Sequence, residues 1–131
     1  MRKYPPKATL RRYCTKPYTL PRSNVTIEVG TPVLISILGM HHDVKYFYRP
    51  LDFDPNRFDI DLIPNGYLPY GFGHRDCLGK NMASLIMKSM LAYILLKYSV
   101  DLNGKKKKMI VFGGHSYLQQ AENIRLNFIR R

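Results

Sequence analysis

The prolines of this chain are confined to its first half. All nine lie at or before residue 69 of the 131 residues, and none follows. Proline fixes its own backbone angle, restricts the residue before it and removes a backbone donor, so a proline-rich segment does not form a long helix. The sequence therefore predicts turns and short strands up to residue 69 and leaves a long helix to the second half. So uneven a distribution also excludes a repeat protein.

The composition is that of one folded domain or part of one. Hydrophobic residues make up 45% and charged residues 23% of the chain, which excludes general disorder. Two cysteines are too few to cross-link a small secreted scaffold, and nothing near Met1 resembles a secretory leader, so a reducing compartment is expected. The longest apolar stretch, residues 82–96, carries two serines and a lysine and is shorter than the about 20 residues that cross a bilayer. Any membrane anchor is expected outside this sequence.

Positive charge dominates the chain and is clustered. There are 21 basic and 9 acidic side chains; seven basic residues precede the first acidic one, Glu28, and residues 105–108 are consecutive lysines. Such clusters favour an anionic partner, which could be nucleic acid, anionic lipid, an acidic protein face or the carboxylates of a cofactor. One hypothesis is therefore a non-catalytic basic module that binds polyanions. The lysine run after Asn103-Gly104 also fits a solvated hairpin tip.

The first half predicts short strands joined by turns. Residues 1–3 are predicted to end a helix, because Tyr4-Pro5-Pro6 stops one. Alternation predicts a half-buried strand from Val25 to Val29, and the continuous apolar run 33–38 predicts a strand covered on both sides. A further strand is predicted at 10–15, turns are predicted at 22–24 and 30–31, and 41–69 is predicted to be irregular.

The second half predicts one long helix and two closing strands. Apolar residues recur every three to four positions from Gly79 to about Tyr98, and the polar stripe between them is narrow. A narrow polar stripe predicts a helix that is mostly buried. The closing strands are predicted at 109–112 and 124–129, the second from its alternation of apolar and polar residues.

Residues 70–79, Tyr-Gly-Phe-Gly-His-Arg-Asp-Cys-Leu-Gly, lead directly into the predicted helix. The three glycines permit backbone shapes and close approaches that a side chain would block. Cys77 precedes a helix N-terminus, where unpaired N–H groups favour thiolate over thiol, and Arg75 adds a cation two residues away. A thiolate in this position is either a nucleophile or a metal ligand.

Residues 70–81 also partly match three known kinds of site: a kinase catalytic loop, a nucleophilic cysteine and a zinc site. His74-Arg75-Asp76 with Asn81 matches the kinase catalytic-loop pattern, but the metal-binding D-F-G, the Gly-rich loop and the strand lysine that a kinase needs do not accompany it. A cysteine nucleophile would need a base, for which the candidates are His41, His42, His74 and His115. The sequence signal for a zinc site is weaker than that for a nucleophile, since C-x-x-C spacing is absent.

Residues 70–79 resemble the haem-binding signature of the cytochromes P-450, F-G-x-G-x-R-x-C-x-G, with Tyr70 in place of Phe and His74 where Pro is frequent. Residues 54–58, Asp-Pro-Asn-Arg-Phe, resemble the Pro-Glu-Arg-Phe element of that family. Residues 2–6 resemble the end of its K helix, and residues 10–15 the strand that follows it. The resemblance covers essentially the whole chain and is closest to the insect-type microsomal branch.

The resemblance implies an α+β fold: the end of the K helix, short strands, a meander, the cysteine loop, a long L helix and closing β hairpins. It implies haem b, iron protoporphyrin IX, as cofactor, with Cys77 as the axial iron ligand. Arg75 and Arg12 occupy the positions that pair with the haem propionates. Tyr70 would lie against the porphyrin near the sulfur, and Gly71 would belong to the backbone around it.

The resemblance also implies a function for the whole enzyme. It would be a haem-thiolate monooxygenase that inserts one oxygen atom from O2 into a small lipophilic substrate such as a xenobiotic. NADPH–cytochrome P-450 reductase would supply electrons, with cytochrome b5 as a further partner, and basic residues such as Lys80 and Lys88 would meet the reductase. Nucleic acid is not expected as a partner. The location implied is the cytosolic face of the endoplasmic reticulum membrane, through an anchor missing from this chain.

The chain is expected to be one partial domain, residues 1–131, of a longer cytochrome P-450 that begins within the K helix. In the family pattern Arg2 pairs with a glutamate two positions before Met1, and the I helix precedes that. Negligible monooxygenase activity is therefore expected of these residues alone. Cys14 is expected to be a small core residue, Arg57 to be structural, and His41 and His42 to be exposed loop residues or to assist a propionate.

Overall fold

The computed structural model describes residues 1–59, 65–102, 111–112, 118–122 and 124–131. The chain divides into two compact units, Met1–Pro69 and Tyr70–Arg131. Short antiparallel strands and two α-helices make up the described residues, so the α+β class is confirmed. The expectation of a single partial domain stays a prediction.

The first unit contains two antiparallel strand pairs. Strands β1 (Thr9–Tyr13) and β4 (Pro32–Ser36) pair with Leu10 opposite Ile35, and β2 (Tyr18–Thr19) pairs with β3 (Thr26–Ile27). The predicted turns lie between these strands: Arg22 has a φ of 62° and Gly30 a φ of 84°. The amide of Gly30 donates to the Cys14 carbonyl at 2.8 Å and so returns the chain alongside β1.

Two strand predictions for this unit are wrong in extent. The predicted strand from Val25 to Val29 is only the two-residue β3, and Val25 and Val29 are exposed. The run 33–38 is not covered on both sides, because Leu34 points outward and is 63% exposed. Only one face of this two-stranded sheet is covered, so the residues of β4 alternate between half-buried and exposed. The strand also ends at Ser36, whose hydroxyl accepts the Gly39 amide at 3.1 Å and starts helix α1 (Ile37–His41).

The core of the first unit lies around helix α1. Ile37 and Phe47 are buried, and so are Arg2 and His41. Beyond α1 the described residues of this unit, 42–59 and 65–69, are irregular, as predicted, apart from a 3-10 helix at Pro55–Phe58; residues 60–64 lie outside the described part. Residues 1–3 are not helical, which corrects the expectation of a helix end there; three residues cannot close an i to i+4 hydrogen bond.

The second unit holds the long helix. A 3-10 helix at Gly73–Arg75 precedes α2 (Lys80–Lys97), which agrees with the predicted helix to within one residue at each end. Strand β5 (Tyr98–Leu102) follows α2 directly and pairs antiparallel with β8 (Leu126–Arg130). Strands β6 (Val111–Phe112) and β7 (Ala121–Glu122) form a second short pair. The lysine run 105–108 lies outside the described residues.

Helix α2 is not buried, which corrects the prediction from its narrow polar stripe. None of its residues is buried, and Met82, Leu85 and Leu96 are 61%, 60% and 78% exposed. A helix is buried only where other elements pack along most of its surface. The described remainder of this unit offers only short strands and one turn of 3-10 helix for that packing. Among the described residues, neither α2 nor any other helix combines the length and the apolar character that a membrane crossing needs.

Candidate functional site

The segment between Tyr70 and Gly79 is a tight loop that two glycines make possible. Gly71 and Gly73 have φ values of 83° and 76°, a region that side chains with a Cβ rarely adopt. The 3-10 turn that begins at Gly73 closes when the Asp76 amide donates to the Gly73 carbonyl at 3.1 Å. The glycine spacing found in the sequence thus produces two successive bends before the cysteine.

Cys77 is held by its backbone and presents its side chain to the exterior. Its amide donates to the carbonyl of Tyr70 at 2.9 Å, and its carbonyl accepts the amide of Lys80 at 3.3 Å. The thiol is free and the residue is exposed. Helix α2 begins three residues later without a side-chain cap or an acidic residue in its first turn. Its first N–H groups and the positive end of its dipole therefore favour negative charge near Cys77.

An ion pair spans the cysteine. Lys80 Nζ lies 2.8 Å from Asp76 Oδ2 on the surface. The hydrogen bond and the negative charge of Asp76 raise the pKa of Lys80, and Cys77 adds to this increase. Lys80 is therefore engaged with Asp76, whereas Lys88, further along α2, is exposed and has no hydrogen bond or ion pair to a described residue.

Arg75 extends from the same 3-10 turn and is exposed. Among the described residues, none accepts a hydrogen bond from its guanidinium or forms an ion pair with it. A guanidinium suits a carboxylate because its planar donors can bind both oxygens at once. Arg75 and Cys77 thus present a cation and a thiol from one short loop.

The Tyr70 side chain has a partner that the sequence did not reveal. Its hydroxyl lies 3.3 Å from the hydroxyl of Ser84, and either can donate. Both residues are half-buried, and Ser84 lies in the second turn of α2. The extra hydroxyl at the position where the family pattern has Phe is therefore paired within the protein. Only the polarity of Ser84 within an apolar stretch hinted at a role.

The fifth predicted site residue, Arg12, lies in the first unit on β1, opposite Val33. It is half-buried, and its Nη1 donates to the Arg11 carbonyl at 2.9 Å. Cys14, in the same unit, is half-buried and its Sγ lies 3.4 Å from the Ile27 carbonyl. Cys14 is thus a packed thiol rather than a fully enclosed core residue.

The expectation that His41 is an exposed loop residue is wrong. The ring is fully buried, with Nδ1 3.0 Å from the Arg2 carbonyl and Nε2 2.9 Å from the Leu68 amide. With both nitrogens engaged, His41 has no atom left for a propionate. His42 is half-buried, with Nε2 3.1 Å from the Lys3 carbonyl. The short helix α1, which no periodicity predicted, carries His41 into the core.

Arg57 has the structural surroundings that were expected of it. Its Nη1 donates to the Tyr48 carbonyl at 2.9 Å, and its Nη2 lies 3.4 Å from the carbonyls of Arg49 and Asp52. Arg2 donates to that same Asp52 carbonyl at 3.1 Å. Burial lowers the pKa of Arg2, and the like charge of Arg57 lowers it further. The Arg57 Nε is buried without a partner among the described residues.

The described residues disfavour the competing chemistries at Cys77. They include no group of three His, Cys, Asp or Glu side chains that could hold a metal ion by themselves. No described histidine hydrogen-bonds to the Cys77 thiol, so the pairing that activates a nucleophilic cysteine is missing there. His115 lies outside the described residues. A lone exposed thiolate can bind a metal whose remaining ligands come from a cofactor.

Comparison with known proteins decides between these chemistries. The sequence model of the family described as cytochrome P450 matches residues 1–128. The chain belongs to the cytochrome P-450 family. This confirms the resemblance drawn from residues 70–79 and 54–58, and the family carries a haem.

Several similar proteins are insect cytochromes P-450. Probable cytochrome P-450 6d5 of Drosophila melanogaster is 40% identical over 115 residues, which are 86% of this chain and 22% of that protein. Cytochrome P-450 6d3 of Musca domestica is 35% identical over 133 residues, 99% of this chain and 26% of that protein. The chain therefore spans about a quarter of the length of these relatives.

A solved structure has the same fold. The retinoic acid bound cyanobacterial CYP120A1 superposes with a TM-score of 0.83 over 99% of this chain and 30% of its own, at 24% sequence identity. At that identity the likeness concerns the fold. The cytochrome P-450 fold of the described residues is thereby confirmed.

The residues present fit a haem. A porphyrin supplies four of the iron ligands, so the protein needs to supply one thiolate, and Cys77 is an exposed, backbone-anchored thiol at a helix N-terminus. A Cβ added to Gly73 would meet nothing within 4 Å, so this side of the loop is open. Arg75 offers a guanidinium that no described residue engages, as a propionate partner requires.

Proposed function

We propose that this protein is the haem-thiolate portion of a monooxygenase. The reaction inserts one oxygen atom from O2 into a small lipophilic substrate such as a xenobiotic, with electrons from NADPH–cytochrome P-450 reductase. The observation that carries the proposal is the anchored, exposed Cys77 thiol at the start of α2, in a chain of this family. Haem b, when bound, supplies the chemistry of oxygen activation.

The chain's own residues hold and tune that group. Cys77 would supply the thiolate that holds the haem iron, and the helix N-terminus behind it would stabilise the negative charge of that thiolate. The Tyr70 carbonyl orients Cys77 by accepting its amide at 2.9 Å, and the bend at Gly71 would leave room for the haem beside the loop. Arg75 would hold a haem propionate, and the resemblance alone assigns the same role to Arg12.

The partners and the location are proposed from the likeness to the insect cytochromes P-450. The exposed amine of Lys88 on α2 suits the acidic face of the reductase, and Lys80, exposed but paired with Asp76, would add to that charge; cytochrome b5 is proposed as a second donor. The enzyme is proposed to act at the cytosolic face of the endoplasmic reticulum membrane. These 131 residues alone are expected to bind haem without measurable turnover, because they span only about a quarter of the length of the related enzymes.

Hemin titration tests the proposal. The purified wild-type protein should give a thiolate-type Soret band after reduction and addition of CO. Cys77→Ala should abolish that band, and Cys14→Ala, which removes the other free thiol, should retain it. Identical spectra for wild type and Cys77→Ala would reject the proposal. Salt-sensitive binding to DNA or acidic vesicles without any hemin binding would instead favour the basic-module hypothesis.

A further inference from the structure

Tyr70 makes two hydrogen-bonding contacts in the cysteine loop, residues 70–79, and at the start of α2. The Tyr70 carbonyl accepts the Cys77 amide at 2.9 Å, and the Tyr70 hydroxyl lies 3.3 Å from the Ser84 hydroxyl on α2. Tyr70, Cys77 and Ser84 are spaced by seven residues each along the chain. The loop is therefore tied at its start to the cysteine through the backbone and to the helix through a side chain.

The exposure of α2 supports this second link. Only Ala83, Ser84 and Ile94 are half-covered, and every other residue of the helix is exposed. Ser84 is thus one of three half-buried residues on a helix that is otherwise exposed, and the Tyr70 hydroxyl lies within hydrogen-bonding distance of it. A phenylalanine could fill the same space but could not form a directional bond to the helix.

We propose that the Tyr70 hydroxyl, through its bond to Ser84, is a positioning device that holds Cys77 in the geometry for thiolate ligation. This inference rests on the proposed haem function. The Cys77 amide donates to the Tyr70 carbonyl. Movement of the tyrosine away from α2 would therefore also weaken the hydrogen bond that holds Cys77. Where the family pattern has a phenylalanine, this chain has a tyrosine whose hydroxyl pairs with Ser84.

Amide hydrogen exchange tests the link without haem. Tyr70→Phe and Ser84→Ala should each accelerate exchange of the Cys77 amide by roughly threefold to tenfold, the opening expected from loss of one side-chain hydrogen bond. The double variant should be no faster than the single ones, since either change breaks the same bond. Tyr93→Phe is the matched control: it removes a tyrosine hydroxyl from the same helix, bonded to Lys97 Nζ at 2.7 Å, and should leave the Cys77 amide unchanged.

The ligand spectrum tests the positioning role. With hemin bound, reduced and exposed to CO, Tyr70→Phe and Ser84→Ala should convert a larger fraction from the thiolate-type band to the neutral-thiol form than Tyr93→Phe does. Unchanged exchange in both single variants, additive effects in the double variant, or faster exchange with an unaltered spectrum would each overturn the inference.

The outcomes separate this inference from the proposed function. If Tyr70→Phe leaves both readouts unchanged while Cys77→Ala abolishes the band, the haem function stands and the positioning role is rejected. If no protein, wild type included, gives the thiolate band, the haem function and the positioning role fail together. The exchange data then still decide whether the Tyr70–Ser84 bond holds the loop.

Discussion

Arg2 and His41 hydrogen-bond to each other twice, with the roles of side chain and backbone exchanged. Arg2 Nη1 donates to the His41 carbonyl at 2.7 Å, and His41 Nδ1 lies 3.0 Å from the Arg2 carbonyl. The Leu68 amide donates to His41 Nε2 at 2.9 Å, so Nε2 is the acceptor and Nδ1 carries the proton. This arrangement requires a neutral imidazole, because a proton on Nε2 would face the Leu68 N–H.

Acid is therefore expected to destabilise the first unit. Burial is the largest effect and lowers the pKa of His41 below its ordinary 6.5. The hydrogen bond to the Arg2 carbonyl raises this pKa by less than burial lowers it, and the positive charges of Arg2, His42 and the N-terminus lower it further. The unfolded chain takes up a proton that the folded chain does not. The contribution of neutral His41 to stability should be fully present above about pH 6.5 and should be lost as the pH drops toward the lowered pKa of His41 in the folded state.

Urea denaturation across this pH range measures the effect. His41→Asn should lower the unfolding free energy at neutral pH and flatten its dependence on pH. His42→Asn, which alters a half-buried neighbour with one bond to the Lys3 carbonyl, should retain most of the pH dependence, because His42 is only one of several groups that lower the His41 pKa. Equal pH dependence in wild type and His41→Asn would show that another group titrates.

Replacement of Arg57 by lysine is expected to cost about 1–3 kcal/mol of unfolding free energy. The planar guanidinium reaches the carbonyls of Tyr48, Arg49 and Asp52, and a single ammonium cannot reproduce that geometry. Chemical denaturation measures the loss. Arg49→Lys is the control. Because the Arg49–Asp52 ion pair is exposed, this substitution should change the unfolding free energy by no more than about 0.5 kcal/mol. Equal losses in both variants would refute the structural role of Arg57.

Gly73→Ala is expected to destabilise the cysteine loop by about 1–2 kcal/mol, through the backbone alone. The φ of Gly73 is 76°, and an added Cβ would meet no atom within 4 Å, so no steric clash contributes. Gly73→Asn should cost less, because asparagine tolerates this region better. Thermal unfolding compares the two variants. A larger loss for asparagine than for alanine would indicate that side-chain size, rather than φ, limits this position.

Local patterns were sufficient to predict several elements. The absence of proline and the apolar spacing predicted α2, and the Gly30 turn returned the chain as expected. Alternation located β8 but not its partner β5, which runs straight on from the helix. The prediction of a covered 33–38 strand failed because an apolar run does not reveal how many layers will pack on it.

The sequence by itself determined the family, the α+β class and the cysteine loop, because glycines, a cysteine and a helix start within ten residues define that chemistry locally. Tertiary structure alone decided the buried, neutral state of His41 and the partner of the Tyr70 hydroxyl. His41 lies 39 residues from Arg2 and 27 from Leu68, and Tyr70 lies 14 residues from Ser84. Contacts at such separations depend on how the elements pack, and no short-range pattern specifies that packing.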